Sequence, residues 1–216
     1  MIVDTKDIHI LIDDIRLEGK LGIPENAVGL VLFAHGSGSS RFSPRNNQVA
    51  NYLMENGIAT LLFDLLTADE DVIDQQTREF RFDIPLLADR LVGATDWVVK
   101  QDELKDFKIG YFGSSTGAAA ALIGAAKRPD LVSAVVSRGG RPDLAGEFLP
   151  LVKAPTLLIV GGLDRTVIEL NEDAQSQMTA KTQLDIVPGA THLFEERGTL
   201  EKVMELAASW FNNHFK

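Results

Sequence analysis

The sequence predicts an α/β fold: a doubly wound, mostly parallel sheet with helices on both faces. Short continuous apolar runs are typical of strands that are covered on both faces, and helical patterns alternate with these runs. The first twenty residues differ, because apolar and polar residues alternate there as in an antiparallel hairpin at the edge of a sheet. A chain of 216 residues can bury a full hydrophobic core, so we expect a single domain over residues 1–216.

Six apolar runs are the strand candidates after this hairpin. Because parallel strands end at the same edge of a sheet, a ligand is expected at the carboxyl ends of these runs. The strong candidates are GLVLFAH (29–35), IATLLFD (58–64), KIGYFG (108–113) and TLLIVGG (156–162), and the weaker ones are LVSAVVS (131–137) and QLDIVPG (183–189).

Helical patterns lie between the runs. NQVANYLMENG (47–57) ends on a glycine suited to a helix C-cap, and PLLADRLVGATDWVVKQ (85–101) has leucines at helical spacing. A last helix is expected over about residues 200–215, and another begins at the AAAAL run (118–122). The acidic run ADEDVIDQ (68–75) indicates instead a solvated loop or a short flap.

Composition and charge exclude several classes of protein. The formal net charge of −10 at pH 7 opposes binding to nucleic acid or to an anionic membrane surface. The chain has no cysteine, which excludes disulfides, thiolate metal sites and a cysteine nucleophile. The N-terminus lacks the pattern of a signal peptide and no segment reaches about eighteen consecutive apolar residues, so we expect a cytoplasmic protein.

The residue types needed for nucleophilic acyl transfer follow three of the predicted strands. Ser115, Asp164 and His192 each lie just past an apolar run. A serine hydroxyl is a poor nucleophile until an imidazole takes its proton, and the imidazole needs a carboxylate to fix its tautomer. The order Ser…Asp…His therefore predicts a catalytic triad.

The segment GSSTG (113–117) indicates which of its two serines is the nucleophile. It fits G-x-S-x-G with Ser115 at the centre, the pattern of a nucleophile elbow between a strand and a helix. The glycines two residues before and two residues after the serine allow the sharp turn to close. Ser114 is then only a neighbour.

Plainer interpretations of these residues stay open. A Gly-Ser loop between a strand and a helix is often only a turn, and its glycines could present amides to a phosphate, although no P-loop lysine follows. Asp164 and His192 could be ordinary loop residues, and Asp64 is an alternative acid. His35 is the other plausible base, but chain order favours His192. No pair of histidines has the spacing of metal ligands, so neither a metal nor another cofactor is expected.

The oxyanion that forms during acyl transfer needs donors that already point at it. We expect one from the amide of Thr116, which follows the nucleophile, and a second from the loop HGSGSS (35–40) after the first apolar run. Ser37 is the preferred second donor and Gly36 the next. His35 is then structural, with its ring holding the loop.

Four stretches together resemble the dienelactone hydrolase-like branch of the α/β-hydrolase superfamily. They are VLFAHGSGSS, GYFGSSTG, LLIVGGLD and PGATHLF, in that order along nearly the whole chain. The resemblance implies an α/β-hydrolase fold with a minimal cap and a triad of Ser115, Asp164 and His192. Dienelactone hydrolase itself uses a cysteine at the elbow, where this chain has Ser115, so a general ester hydrolase is the expectation.

These observations predict a serine hydrolase that cleaves carboxylic esters or related small acyl compounds through an acyl-enzyme on Ser115, without a cofactor. The same triad could pass the acyl group to another acceptor, as in an acyltransferase or perhydrolase. A receptor-like protein that binds a ligand without turnover is the alternative of another class. Neither nucleic acid nor a membrane is an expected partner, and oligomeric state has no signal in the sequence.

Two arginines in SRGGRPDL (137–144) follow the strand next to the proposed nucleophile. Arg138 and Arg141 could form local salt bridges, or they could hold a substrate carboxylate, since a guanidinium offers paired donors. The loops at the strand ends offer mainly Gly, Ser, Arg and Asp, which favours small acyl groups over long-chain lipids.

Overall fold

The computed structural model describes residues 4–216, and within them one eight-stranded sheet runs through the protein. The strands are β1 Thr5–Ile12, β2 Ile15–Gly22, β3 Gly29–Ala34, β4 Ala59–Phe63, β5 Lys108–Ser114, β6 Val132–Arg138, β7 Thr156–Gly161 and β8 Thr182–Val187. Their order in the sheet is β1-β2-β4-β3-β5-β6-β7-β8. The β1–β2 and β2–β4 pairs are antiparallel and the other neighbouring pairs are parallel, so the predicted sheet and its N-terminal hairpin are confirmed.

Helices cover both faces of the sheet. They are α1 Pro44–Glu55, α2 Ala68–Thr77, α3 Ile84–Val98, α4 Thr116–Lys127, α5 Arg165–Gln177 and α6 Thr199–His214, with a 3₁₀ segment over Pro142–Leu151. Helices α1 and α6 pack on one face, and α3 and α4 pack on the other. No helix within residues 4–216 has both the length and the apolar content needed to cross a membrane.

Strand β3 shows why the apolar runs are continuous. All six of its residues are buried, but successive side chains point to opposite faces of the sheet. Leu30 and Leu32 pack in the cluster under α3 and α4, whereas Val31 and Phe33 pack in the cluster under α1 and α6. A strand that is covered twice therefore loses the alternation of a half-exposed strand.

The acidic run at residues 68–75 was expected to be a loop or flap, and that expectation is wrong, because the run forms most of α2. Thr67 caps the helix by accepting a hydrogen bond from the Glu70 amide, and the Glu70 carboxylate accepts one from the Thr67 amide. Acidic residues in the first turn also suit the positive end of the helix dipole. The capping contacts thus favour a helix in a segment whose high charge alone suggested a loop.

His35 joins the ends of β3 and β4 beneath the sheet edge. Its buried ring accepts a hydrogen bond at Nε2 from the Leu65 amide, over 3.1 Å, and Nδ1 lies 3.0 Å from the carbonyl oxygen of Gly36. Because Nε2 accepts, the proton is on Nδ1, which donates to Gly36. Burial lowers the pKa of His35, so the ring stays neutral and holds the loop that follows β3.

This burial makes stability depend on pH. Below the ordinary histidine pKa of about 6.5 the unfolded chain binds a proton at His35 that the folded chain does not, so acid destabilises the fold. We expect the stability advantage of wild type over His35→Gln to shrink by up to about 1.4 kcal/mol per pH unit below that value. Urea unfolding of both proteins between about pH 7.5 and about pH 5 measures it, and the other histidines cancel in the difference. An advantage that stays constant over this range would contradict the assignment.

Candidate active site

The turn between β5 and α4 holds Ser115 in a backbone conformation that side chains rarely adopt. Its φ is 52° and its ψ is −122°, a region that costs a residue with a Cβ about 1–3 kcal/mol. The neighbouring glycines are required by close packing. A Cβ added to Gly117 would lie 2.2 Å from the carbonyl oxygen of Ala34, and one added to Gly113 would lie 2.5 Å from the Cα of Ala118. The G-x-S-x-G spacing follows from these two approaches.

The two serines of this turn have different surroundings. Ser114 is buried and its hydroxyl donates to Oδ1 of Asn46 over 3.0 Å. Ser115 is partly exposed, and although it is the N-cap residue of α4 its hydroxyl makes no capping hydrogen bond. Its backbone is held by β6 and the following turn: its amide donates to Arg138 and its carbonyl accepts from Arg141. The Ser115 hydroxyl is therefore free for chemistry while its backbone is fixed.

His192 and Asp164 form a hydrogen-bonded pair at the same edge of the sheet. Nδ1 of His192 lies 2.7 Å from Oδ2 of Asp164. A carboxylate can only accept, so Nδ1 carries the proton and Nε2 of a neutral ring has its lone pair free. The ring packs beside Gly139, where an added Cβ would lie 3.6 Å from Cε1 of His192. Gly139 directly follows Arg138, whose carbonyl accepts a hydrogen bond from the Ser115 amide. The His192 ring and the Ser115 backbone therefore contact adjacent residues at the end of β6. The two side chains make no hydrogen bond to each other in this structure.

The alternative acid, Asp64, has another partner. Its carboxylate accepts from the Arg41 amide over 2.7 Å and forms an ion pair with the Arg41 guanidinium. Both side chains line a cleft of about 440 Å³ between the loop after β3 and helix α2. In this structure Asp164, and not Asp64, is the carboxylate that binds His192, and Asp64 lines the cleft together with Arg41.

The loop after β3, which carries Gly36 and Ser37, packs against the elbow and binds the first residue of α4. A Cβ added to Gly36 would lie 3.2 Å from Cβ of Ser115, so the loop rests directly on the serine. The amide of Ser37 points at helix α4 and donates to Oγ1 of Thr116 over 2.9 Å. Thr116 is the first residue of α4, and a first-turn amide has no partner within the helix. The Ser37 amide is therefore occupied by the Thr116 side chain, whereas the Thr116 amide has no partner within α4.

The two candidate substrate-binding arginines differ in their partners. Both Nε and Nη2 of Arg141 bind the Asp143 carboxylate, over 2.8 and 2.7 Å, which matches the salt-bridge interpretation. Arg138 is only 6% exposed and donates from Nη2 to Oδ1 of Asn46 over 3.3 Å, while its buried Nε has no partner. Burial, with a smaller contribution from Arg45, lowers the pKa of Arg138 to about 10. A buried cation without a carboxylate partner thus lies behind the elbow.

Other acidic side chains near His192 are occupied as well. Glu195 pairs with Arg45, and Glu196 accepts from the amide and hydroxyl of Thr191. These contacts stabilise the loop that carries His192. Among residues 4–216, no group of three or more His, Asp or Glu side chains is placed to hold a metal ion.

Apolar side chains flank the acid and the base, which the composition of the loops did not indicate. Leu163, next to Asp164, is 63% exposed, and Leu193, next to His192, and Leu144 of the 3₁₀ segment are exposed too. Asn46 was also missed: it joins Ser114 to Arg138, and its position on α1 has no signal in the sequence. Both features depend on which loops the fold brings together.

Comparisons with known proteins agree with the family resemblance of the sequence. The model of the dienelactone hydrolase family matches residues 17–215. A Mycobacterium tuberculosis protein with the provisional name phosphoribosyl transferase is 54% identical over 209 residues, which cover 97% of this chain and 46% of that protein. The chain therefore spans about half the length of the curated relatives that it matches.

Solved structures share the fold. A dienelactone hydrolase from Anabaena variabilis has a TM-score of 0.99 and 55% sequence identity, with 100% of both chains covered. Est1E from Butyrivibrio proteoclasticus has a TM-score of 0.79 at 20% identity, covering 96% of this chain and 98% of that one, a likeness of fold alone. The α/β-hydrolase fold implied by the sequence is thus confirmed, and with the family model matching nearly its whole length the chain belongs to the dienelactone hydrolase family.

Proposed function

We propose that this protein is a serine hydrolase that cleaves carboxylic esters or related small acyl compounds. Membership of the dienelactone hydrolase family supports a hydrolase. The observation that carries the proposal is the 2.7 Å hydrogen bond between His192 and Asp164, which leaves Nε2 of the imidazole as a base at the edge where the strained Ser115 lies.

The proposed reaction has two steps through an acyl-enzyme. Nε2 of His192 takes the proton of Ser115 as Oγ attacks the acyl carbonyl, and Asp164 stabilises the imidazolium that forms. The carbonyl π pair moves to oxygen, where the Thr116 amide holds the charge. The Ser37 amide, the second expected donor, is bonded to Oγ1 of Thr116 in this structure. The tetrahedral intermediate then collapses, and His192 returns the proton to the leaving alcohol. Water repeats the sequence on the acyl-enzyme and releases the acid.

The transferase name of the Mycobacterium tuberculosis relatives belongs to proteins about twice as long. The proposal for this chain therefore rests on its own side chains. An acyltransferase or perhydrolase would use the same triad with an alcohol or peroxide in place of water, and a receptor-like protein would bind without turnover. Product analysis with competing acceptors separates the first pair, and labelling of Ser115 without ester turnover would favour the receptor.

We expect a fluorophosphonate to label wild type at Ser115 and to leave Ser115→Ala unlabelled. Only Ser115 has a free hydroxyl at the elbow, because the hydroxyl of Ser114 is bonded to Asn46. Ser114→Ala is the matched control and should still be labelled. Peptide mapping by mass spectrometry locates the adduct, and an adduct on Ser114 would overturn the assignment.

Removal of the base or the nucleophile should abolish turnover. His192→Ala and Ser115→Ala should lower kcat by about 10⁴- to 10⁶-fold, and Asp164→Asn by about 10⁴-fold because it favours the wrong tautomer. Asp64→Asn is the matched control, since Asp64 binds Arg41 and not His192. Steady-state hydrolysis of a short-chain ester measures all four. An inactive Asp64→Asn beside an active Asp164→Asn would reverse the choice of acid.

Arg138 should favour substrates with a negative charge, because its guanidinium has no carboxylate partner among residues 4–216. Arg138→Met should raise KM for an anionic ester by about 10- to 100-fold and leave a neutral ester of equal size almost unchanged. Arg141→Met is the control, because Asp143 already neutralises Arg141. Equal effects of Arg138→Met on both esters would assign Arg138 a purely structural role.

A further inference from the structure

The side chain of Thr116 binds one of the two proposed oxyanion donors, the Ser37 amide, and belongs to the same residue as the other. The Ser37 amide donates to Oγ1 of Thr116 over 2.9 Å. In this structure the Ser37 amide is therefore satisfied by a side chain and does not face an open site. A carbonyl oxygen bound by the Thr116 amide would therefore lie beside the Thr116 hydroxyl, while the Ser37 amide is already occupied by Oγ1.

The proton of this hydroxyl has no acceptor among the described residues. A threonine hydroxyl has one proton to donate. Within residues 4–216, the one hydrogen bond of Oγ1 of Thr116 is the bond that it accepts from the Ser37 amide. Within a helix a threonine often donates to the carbonyl four residues earlier. For Thr116, the first residue of α4, that position is Phe112 in β5, outside the helix. Thr116 is only 6% exposed, so this unpaired proton is also largely shielded from bulk water.

The loop that bears Ser37 is held against the elbow. The Gly36 backbone is close enough to Ser115 that an added Cβ would lie 3.2 Å from the serine Cβ. The Ser39 amide closes a turn on the Gly36 carbonyl over 3.1 Å, and the His35 ring anchors the same carbonyl. These contacts keep the Ser37 amide within hydrogen-bond distance of Oγ1 of Thr116. The position of Oγ1 is therefore fixed, while the hydroxyl proton can still rotate about the C–O bond.

We propose that Thr116 is a catalytic residue whose hydroxyl donates a hydrogen bond to the oxyanion. The inference rests on the proposed function. When Ser115 attacks, the carbonyl π pair moves to oxygen, and the Thr116 O–H and N–H both donate to that oxygen. No proton is transferred. The Ser37 amide, by donating to Oγ1, polarises the hydroxyl and strengthens its donation, as in other chains of hydrogen bonds.

Thr116→Val tests the proposal, because valine keeps the shape of threonine and removes the hydroxyl. We expect kcat to fall by about 10²-fold with KM changed little, as for loss of one oxyanion donor. Thr116→Ser keeps the hydroxyl and should stay within about threefold of wild type. A trifluoromethyl ketone, which forms an oxyanion on Ser115, should bind Thr116→Val more weakly by about the same factor as kcat/KM falls.

The outcomes separate this inference from the proposed function. If wild type hydrolyses no ester and is not labelled at Ser115, the proposed function fails and this inference fails with it. If wild type is active and Thr116→Val equals or exceeds it, the hydroxyl only covers the Ser37 amide and the inference alone is overturned. Thr116→Ala provides a second variant should Thr116→Val not fold, with the same expected loss, and circular dichroism checks the fold of each.

Discussion

The approach of helix α4 to strand β3 constrains the edge of the sheet that carries the candidate site. Gly117 lies against the backbone of Ala34 and His35 with no room for a side chain. This contact forces the chain to turn within Ser114 and Ser115, and the turn gives Ser115 its positive φ. The start of α4 then lies beside the loop that follows β3, where Ser37 and Thr116 meet. A side chain at residue 117 would push the helix away from the sheet, because its Cβ would lie 2.2 Å from the carbonyl oxygen of Ala34.

A layer of buried polar groups supports the elbow from below. His35 connects the ends of β3 and β4, and Asn46 on helix α1 connects Ser114 to Arg138. Buried polar groups are costly unless they are hydrogen-bonded, and Nε of Arg138 is not. The polar side-chain atoms of His35, Asn46 and Ser114 that make these connections are hydrogen-bonded, so Nε of Arg138 is the exception in this layer. The elbow therefore rests on a buried guanidinium that is only partly hydrogen-bonded.

The sheet and the site could be predicted to different extents. The strands were evident because burial on both faces produces continuous apolar runs, and β3 and β7 match the runs at 29–35 and 156–162 closely. Ser115, Asp164 and His192 were found from their positions after strands, and the pairing of Asp164 with His192 agrees with that choice while their roles stay predictions. The helix α2 was misread because its capping contacts outweigh its charge. Asn46 and the hydroxyl of Thr116 could not be found, since their roles depend on contacts between segments far apart in the chain.

The backbone of Ser115 sets a trade-off between stability and reactivity. With φ near 52° and ψ near −122°, the residue occupies a region that is open to glycine and unfavourable for any side chain. A glycine at this position would relax the turn, so the protein would gain stability while losing the proposed nucleophile. Folding alone gives no reason for a side chain at residue 115, so the conformational cost of serine there is explained by the proposed chemistry.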